Sequence, residues 1–162
     1  MAEKKKYLTY EQALQKLQRY CAYQDRCHSE VRSKLIDLGV YGDRLEEIMA
    51  ELITDNFLNE ERFARSYVRG KFRMKQWGRN RIKQELKLRK ISAYCIKKGL
   101  SEIEEEEYLQ TLNKLLTKKD KLLKEPNQFK RNSKLANYVI GKGYESKLVW
   151  ATIKKRDGNA EH

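Results

Sequence analysis

The sequence predicts an all-α protein built as an elongated array of three tandem three-helix repeats. Apolar side chains recur three and four residues apart through most of the 162 residues, the spacing that places them on one face of a helix. No segment alternates apolar and polar residues as a half-buried strand does. Only one proline and eight glycines are present to interrupt helices. The elements can be taken in order.

Residues 1–56 predict a first repeat of three helices. Thr9, Ser29 and Asp43 each precede an apolar-periodic segment and carry a side-chain oxygen suited to an N-cap. Gly39 ends the second helix, because glycine readily takes the left-handed conformation of a C-terminal turn. The residues predicted to face the core are Tyr10, Ala13, Leu14, Leu17, Cys21, Val31, Leu35, Leu38, Leu45, Ile48, Met49 and Leu52.

Residues 57–100 predict a second repeat. Asn59 and Ser92 are its candidate N-caps, and Trp77 with Gly78 interrupts the pattern between the first two helices. The residues predicted to face the core are Phe63, Ala64, Tyr67, Val68, Phe72, Ile82, Leu86, Cys95 and Ile96.

Residues 101–156 predict a third repeat. Ser101 and Glu104 have capping-box spacing, and further glutamates follow in the first turn, where the helix dipole favours negative charge. Pro126 separates the first helix from the second, and residues 157–162 are predicted to be a disordered tail. The predicted core residues are Tyr108, Leu112, Leu115, Leu116, Leu122, Phe129, Leu135, Val139, Leu148, Val149 and Ile153, with Gly141 and Gly143 ending the second helix.

The repeat interpretation depends on three aligned segments: SEVRSKLIDLGV (29–40), NRIKQELKLRKI (80–91) and SKLANYVIGKGY (133–144). Leu35 matches Leu86 and Val139, so successive anchors are 51 and 53 residues apart. Periods of this size are typical of stacked helical modules. The alternative is that any all-helical chain yields some short matches; the triple recurrence of the helix order favours repeats.

Positive charge is concentrated in two parts of the chain. Residues 62–90 hold twelve Lys and Arg against Glu85 alone, and residues 112–156 hold thirteen against three acids, within a total of +13. Charges of one sign repel one another, and a bound polyanion removes this repulsion by neutralising them. The excess therefore indicates that the protein binds nucleic acid or a protein that carries nucleic acid. The alternative is that the charges only solvate helix faces, but solvation normally uses both signs.

Other functional classes are disfavoured. No Gly-rich phosphate loop, HExxH or GxSxG motif is present, so we expect neither an enzyme nor a cofactor. Cys21, Cys27 and His28 could be combined with His162 as metal ligands, but their spacing does not match a zinc site, and reduced, buried thiols are expected instead. No apolar run approaches a membrane span or a secretory signal, and a cytoplasmic protein is expected.

Three passages resemble the RecX family of bacterial regulatory proteins. They are DRCHSEVRSKLIDLG (25–39), FLNEERFARSYVRGKFRMKQWGRNRIKQELKLRKI (57–91) and YVIGKGYESKLVWATI (138–153). The middle passage is the most specific, through Leu58, Arg62-Phe63-Ala64, Gly78, Arg81-Ile82 and Glu85-Leu86. Two positions depart from the family pattern: Asn59-Glu60 stands where two aspartates are common, and Lys90 stands where a helix-ending glycine is usual.

The resemblance implies a non-enzymatic modulator of the RecA recombinase in DNA repair, recombination and the SOS response. It would lie in the groove of the RecA–DNA filament and restrain ATPase activity, strand exchange and filament growth. Single- and double-stranded DNA, bound without sequence preference, and a monomeric state are also expected. Capping of the filament, removal of protomers and blocking of the groove all remain open.

We predict that the partner binds a cationic surface made of Arg69, Arg73, Trp77, Arg79, Arg81, Lys83 and Lys87. Arginine offers planar, multidentate contacts, whereas lysine acts as a point charge. Trp77 either stacks on a partner or, as favoured, fills the core between two helices. Arg62 and Glu85 are interpreted as structural, paired with each other or with helix ends. Neutralising Arg79, Arg81 and Lys83 together is expected to leave the fold intact.

Two other functional classes are alternatives to a modulator of RecA. A direct DNA-binding module would use residues 77–90 as its recognition segment. That segment offers no paired Asn/Gln pattern for reading bases, so its DNA contacts should be dominated by the backbone. A purely structural scaffold would leave the one-signed charge unexplained.

Overall fold

The computed structural model describes residues 7–160, and within that range the chain contains helices and no strand. The all-α class predicted from the sequence is confirmed. The helices are α1 (Tyr10–Tyr23), α2 (His28–Asp37), α3 (Asp43–Thr54), α4 (Glu60–Lys75), α5 (Arg79–Leu88), α6 (Ala93–Leu100), α7 (Glu105–Leu122), α8 (Gln128–Gly141) and α9 (Ser146–Ala160).

The helices pack in three consecutive groups. Each helix of α1–α3 contacts the other two, and the same holds for α4–α6, while α8 packs against both α7 and α9. Arg156 of α9 also donates a hydrogen bond to the Thr117 hydroxyl of α7 at 2.9 Å. The accessible surface is 11186 Å², compared with about 8500 Å² for a compact monomer of 19.4 kDa. The chain is therefore an extended array of three tandem three-helix repeats, as predicted.

The second helix of every repeat ends in the same left-handed turn. The φ angle is +84° at Gly39, +60° at Lys90 and +107° at Gly143, so Lys90 adopts the conformation that glycine adopts in the other two repeats. The next N–H donates to the carbonyl oxygen five residues earlier, from Val40 to Leu35, from Ile91 to Leu86 and from Tyr144 to Val139. This pattern is the Schellman motif. The aligned anchors Val31, Leu35, Ile82, Leu86, Leu135 and Val139 are all buried.

Core packing is not divided equally among the repeats. The first repeat has its own cluster of buried apolar residues, whereas the second and third share one continuous cluster. Phe72 of α4, Tyr108 of α7 and Tyr144 form a row of rings at the junction of these two repeats, with centroids 5.9 and 5.0 Å apart. Cys27, which precedes α2, belongs to the shared cluster and so links the first repeat to the second.

Several local predictions are confirmed. Thr9, Asn59 and Ser92 each accept a hydrogen bond from the backbone N–H three residues later, as N-caps do. The three cysteines are buried free thiols, and burial raises the pKa of Cys21 to about 11.

Other local predictions are wrong. Ser101 ends α6 and donates to the Lys98 carbonyl, so it forms no capping box with Glu104. Helix α2 is preceded by Cys27, so Ser29 is not its N-cap. Asp43 is not an N-cap either, because α3 begins at Asp43 and Gly42 is the residue before it. Local sequence locates the end of a helix only to within about one or two residues.

The third repeat contains two further differences. Leu122 and Phe129, both predicted to face the core, are 69% and 79% exposed, at the end of α7 and in the first turn of α8. Residues 157–160 continue α9, where a disordered tail was predicted, and residues 161–162 lie outside the described range. The predicted boundaries of the three repeats, at 1–56, 57–100 and 101–156, stay a prediction.

Candidate functional site

Carboxylates from elsewhere in the chain neutralise much of the basic block at 62–90. Arg62 contacts Asp25 at 3.0 Å, and Arg65 and Arg69 share Glu102 at 3.0 and 3.2 Å. The hydrogen bond from Arg65 lowers the pKa of the Glu102 carboxyl. In the folded protein, much of the positive charge of this block is therefore balanced by negative charge, because its arginines form salt bridges with acids that are distant in the sequence.

Arg62 and Glu85 are both structural, but they do not pair with each other. Arg62 also donates to the Phe57 carbonyl at 3.2 Å and joins the first two repeats through Asp25. Glu85 accepts from Arg89, one turn later on the chain, at 3.2 Å. Of the two pairings left open, the structure shows the one with helix ends: Arg89 is at the end of α5, and Asp25 is just after α1.

Arg79 is held inside the molecule rather than on the open cationic surface. Its guanidinium contacts Glu145 at 3.0 Å and Glu105 at 2.5 Å, and it lies 3.8 Å from the centroid of the Tyr108 ring. Its side chain is 23% exposed. Tyr108 donates a short hydrogen bond to Glu145 and accepts one from the Arg79 N–H. The charge of Arg79 is thus already compensated within the chain, which distinguishes it from most of the other predicted surface residues, and its part in binding stays a prediction.

The same network perturbs Tyr108. Burial, and then the hydrogen bond to Glu145, raises the pKa of the phenol well above its usual range. A phenol that stays protonated remains a donor, so the network keeps its hydrogen bonds across the neutral range. Glu105, predicted to complement the dipole of α7, also pairs with Arg79, and Glu102, just before that helix, pairs with Arg65.

Trp77 packs in part against the core, which is the role that the sequence favoured. The ring is half-buried against the core shared by the second and third repeats. Two cations of the same chain also lie over the ring, with the Lys71 ammonium 5.0 Å and the Arg81 guanidinium 4.2 Å from its centroid. Stacking of Trp77 on a partner stays a prediction. Gln76, at φ +56°, makes the turn that places the ring there, and its carbonyl accepts a hydrogen bond from Tyr144 at 3.1 Å.

The remaining predicted cations are exposed and unneutralised. Arg73 is on the last turn of α4, and Arg81, Lys83 and Lys87 are on α5. None of these four has a carboxylate within 4.0 Å among the described residues. Arg69, by contrast, is partly exposed but bound to Glu102.

Lys75, which is exposed, and Lys71, which is half-buried, are also unneutralised within the described range, although neither was predicted as a binding residue. Both lie on the last part of α4, Lys71 beside Trp77, and neither has a salt bridge in the described part of the chain. Their spacing from Arg73 could have indicated them, since cations in the last turn also complement the helix dipole. We name Lys71, Arg73, Lys75, Trp77, Arg81, Lys83 and Lys87 the α4–α5 surface.

The described residues show neither a cluster of metal ligands nor a helix that could span a membrane. Between residues 7 and 160, no group of three or more His, Cys, Asp or Glu is placed to hold a metal ion. None of the nine helices in that range is both long and apolar enough to cross a membrane.

The fold and the site define a class: a helical repeat protein whose described residues include unpaired cations on two neighbouring helices and a half-buried tryptophan between them. Residues 59–100 match the family model "RecX, second three-helix domain". The chain is 30% identical over 136 residues to the regulatory protein RecX of Clostridium perfringens strain 13, covering 83% of this chain and 63% of that protein. It is 28% identical over 134 residues to RecX of Prosthecochloris aestuarii, covering 83% and 86%.

Solved structures agree on the fold. The crystal structure of RecX from Lactobacillus salivarius superposes with a TM-score of 0.84 at 22% identity, over 91% of this chain and 96% of that one. A second crystal structure of a regulatory protein RecX gives 0.80 at 24% identity, over 90% and 73%. The chain is similar to RecX regulatory proteins over most of its length, and its second repeat matches the second three-helix domain of that family. The matched region spans 63% of the length of the C. perfringens relatives, less than two thirds.

Proposed function

We propose that this protein modulates the RecA recombinase by lying in the groove of the RecA–DNA filament, where it restrains ATPase activity, strand exchange and filament growth. The family resemblance supplies the partner. The observation that carries the proposal is the α4–α5 surface, whose exposed cations are left unneutralised while the arginines around them are bound to carboxylates. A polyanionic filament would supply the missing negative charge.

The architecture suits such a partner. An extended array of repeats can follow a helical groove across more than one protomer, and several modest contacts on one chain raise the overall affinity without a deep pocket. A monomer is sufficient for this. DNA contact would go to phosphates and carry no sequence preference, because the exposed side chains are mainly lysines acting as point charges.

The first test measures the DNA-dependent ATPase activity of RecA with substoichiometric amounts of the protein. We expect inhibition that is weakened several-fold in the double variant Lys83→Gln/Lys87→Gln. The matched control is Lys16→Gln/Arg19→Gln, which removes two exposed charges from α1 of the first repeat. Equal inhibition by both double variants would show that the α4–α5 surface is not the one that binds.

A salt series with bare DNA separates the modulator from a simple DNA-binding protein. The proposal expects weak, salt-sensitive binding to single- and double-stranded DNA together with strong ATPase inhibition. Tight binding to DNA without inhibition would instead identify a DNA-binding repeat protein and overturn the proposed partner. A preference for one duplex sequence would also contradict the proposal.

Arg79 provides a control for structural effects. Because its guanidinium holds Glu105 and Glu145, we expect Arg79→Gln to cost about 1.5 to 3 kcal/mol of unfolding free energy. The Lys83→Gln/Lys87→Gln variant should unfold at the same denaturant concentration as the unaltered protein. Loss of inhibition in the Arg79 variant therefore has to be compared with its loss of stability before it is assigned to binding.

A further inference from the structure

The third repeat has an excess of positive charge that the α4–α5 surface does not use. Residues 112–156 contain three acids, and each is engaged: Asp120 with Arg131 at 2.5 Å, Glu125 with Lys134 at 3.2 Å and Glu145 with Arg79. The other lysines of α7 and α8 have no salt bridge in the described part of the chain. Nothing within that part neutralises them.

Two of these lysines converge on one exposed aromatic ring. Tyr138 of α8 is 37% exposed. The Lys119 ammonium, from α7, lies 4.9 Å from the centroid of its ring, and the Lys142 ammonium, just after α8, lies 5.9 Å from it. Two ammonium groups at one ring repel each other, so the arrangement becomes more favourable when an anion approaches.

A third lysine extends the same face of α8. Lys130 is eight residues before Tyr138, and Lys142 is four residues after it. Because four residues advance a helix by about 6 Å, these positions form a row of nearly 20 Å along the helix axis. Lys134 occupies the position between Lys130 and Tyr138 but is bound to Glu125. The Tyr138 patch is therefore defined as Tyr138 with Lys119, Lys130 and Lys142.

The patch adjoins the junction with the second repeat. The Lys142 carbonyl accepts a hydrogen bond from the Gly78 N–H at 2.9 Å, and Gly143 lies against the start of α5 at Arg81. Trp77 precedes Gly78, so two aromatic rings, each accompanied by two cations, flank one junction.

We propose that the Tyr138 patch binds single-stranded nucleic acid, with one base stacked on the Tyr138 ring and the lysines contacting neighbouring phosphates. Aromatic platforms beside cationic tracks bind single strands with little sequence preference, since every base has a π face. The aromatic ring favours nucleic acid over an acidic protein surface, because a base can stack on the ring and a carboxylate cannot. For its biological setting this inference rests on the proposed function, because the filament carries single-stranded DNA.

The test omits RecA, so its failure is distinguishable from failure of the proposed function. The full chain is titrated into a fluorescein-labelled oligothymidylate of about 16 nucleotides, and binding is followed by anisotropy over a salt series. The variants are Tyr138→Ala, Tyr138→Phe and Lys119→Gln/Lys142→Gln. The matched controls are Tyr23→Ala and Lys16→Gln/Arg19→Gln, on the exposed surface of the first repeat.

Each variant has its own expected result. Tyr138→Ala weakens binding at least about fivefold with an unchanged salt slope, and Tyr138→Phe, which keeps the ring, binds like the unaltered chain. Lys119→Gln/Lys142→Gln lowers the slope of log K against log salt by about 1.4, as expected for two lost phosphate contacts. An oligonucleotide with 2-aminopurine changes its fluorescence on binding to the unaltered chain and not to Tyr138→Ala.

Other results overturn the inference. If Tyr138→Ala and Lys119→Gln/Lys142→Gln bind the oligonucleotide like the controls, the patch is not a nucleic-acid site. If the same variants bind DNA normally but lose inhibition of RecA, the patch contacts protein instead. Thermal unfolding of every variant excludes loss of folding as the cause, and Tyr138→Phe retains the ring's packing if Tyr138→Ala proves unstable.

Discussion

The backbones of Gly78 and Gly143 are in direct contact at the junction of the second and third repeats. A Cβ atom on Gly78 would lie 2.3 Å from the Gly143 carbonyl carbon, and one on Gly143 would lie 2.4 Å from the Arg81 Cβ. Two hydrogen bonds close the contact, from the Gly78 N–H to Lys142 and from the Asn80 N–H to Gly143, each 2.9 Å long. The relation of these repeats depends on the absence of a side chain at both glycines.

Gly78→Ala should therefore be strongly destabilising. A methyl group cannot fit against backbone atoms at 2.3 Å, so the repeats must separate, and we expect a loss of about 3 kcal/mol or more. Urea unfolding measures it. Gly70→Ala is the control, since its Cβ meets no atom within 4 Å in the middle of α4, and it should add about 0.5 to 1 kcal/mol. Similar effects at both glycines would contradict the close contact.

Lys90→Gly should stabilise the protein. Lys90 is at φ +60°, in the turn where the other repeats have Gly39 and Gly143. A left-handed conformation costs a non-glycine residue roughly 1 to 2 kcal/mol, and glycine avoids this cost. Because glycine also loses more conformational entropy on folding, the net stabilisation by Lys90→Gly should be about 1 kcal/mol. The reverse exchange, Gly39→Ala, should lose a similar amount. Chemical denaturation of both variants checks the sign; destabilisation by Lys90→Gly would show that the lysine side chain contributes more than its backbone strain.

Leu86→Ala should cost about 2 to 5 kcal/mol, because Leu86 is fully buried at an aligned anchor position. Leu35→Ala in the first repeat should lower the free energy of unfolding by a similar amount. Leu88→Ala is the matched control on the same helix, since Leu88 is 70% exposed and its truncation should change stability by less than about 0.5 kcal/mol. Equal midpoints for Leu86→Ala and Leu88→Ala would refute the aligned register.

Alkaline pH should destabilise the fold. A hydrogen bond to Glu51 raises the pKa of Tyr10 to about 12, and burial raises the pKa of Tyr108 and Tyr144 still further. The unfolded phenols ionise near pH 10, so their contribution to stability is complete below about pH 10 and falls as the pH rises toward 12. Urea unfolding at about pH 8 and pH 11 measures the loss. Tyr144→Phe should be less sensitive to pH; an unchanged difference between the two pH values would contradict a raised pKa at Tyr144.

The sequence by itself determined the helical elements and the repeat. Apolar spacing and the caps at Thr9, Asn59 and Ser92 depend on residues within about one or two turns of one another. The alignment of Leu35, Leu86 and Val139 compares three such local patterns along the chain. Such short-range relations can be recognised from the amino-acid sequence alone. For that reason even the substitution of Lys90 for glycine did not obscure the register of the second repeat.

Only the tertiary structure decided which cations are free. Arg65 and Glu102 are 37 residues apart in sequence, and Arg79 and Glu145 are 66 apart, so no local pattern distinguishes these bound arginines from Arg73 or Arg81. The same holds for the contact of Gly78 with Gly143 and for the meeting of Lys119 with Tyr138. Charge and packing partners depend on distance in space, and that distance is set only when the repeats pack against one another.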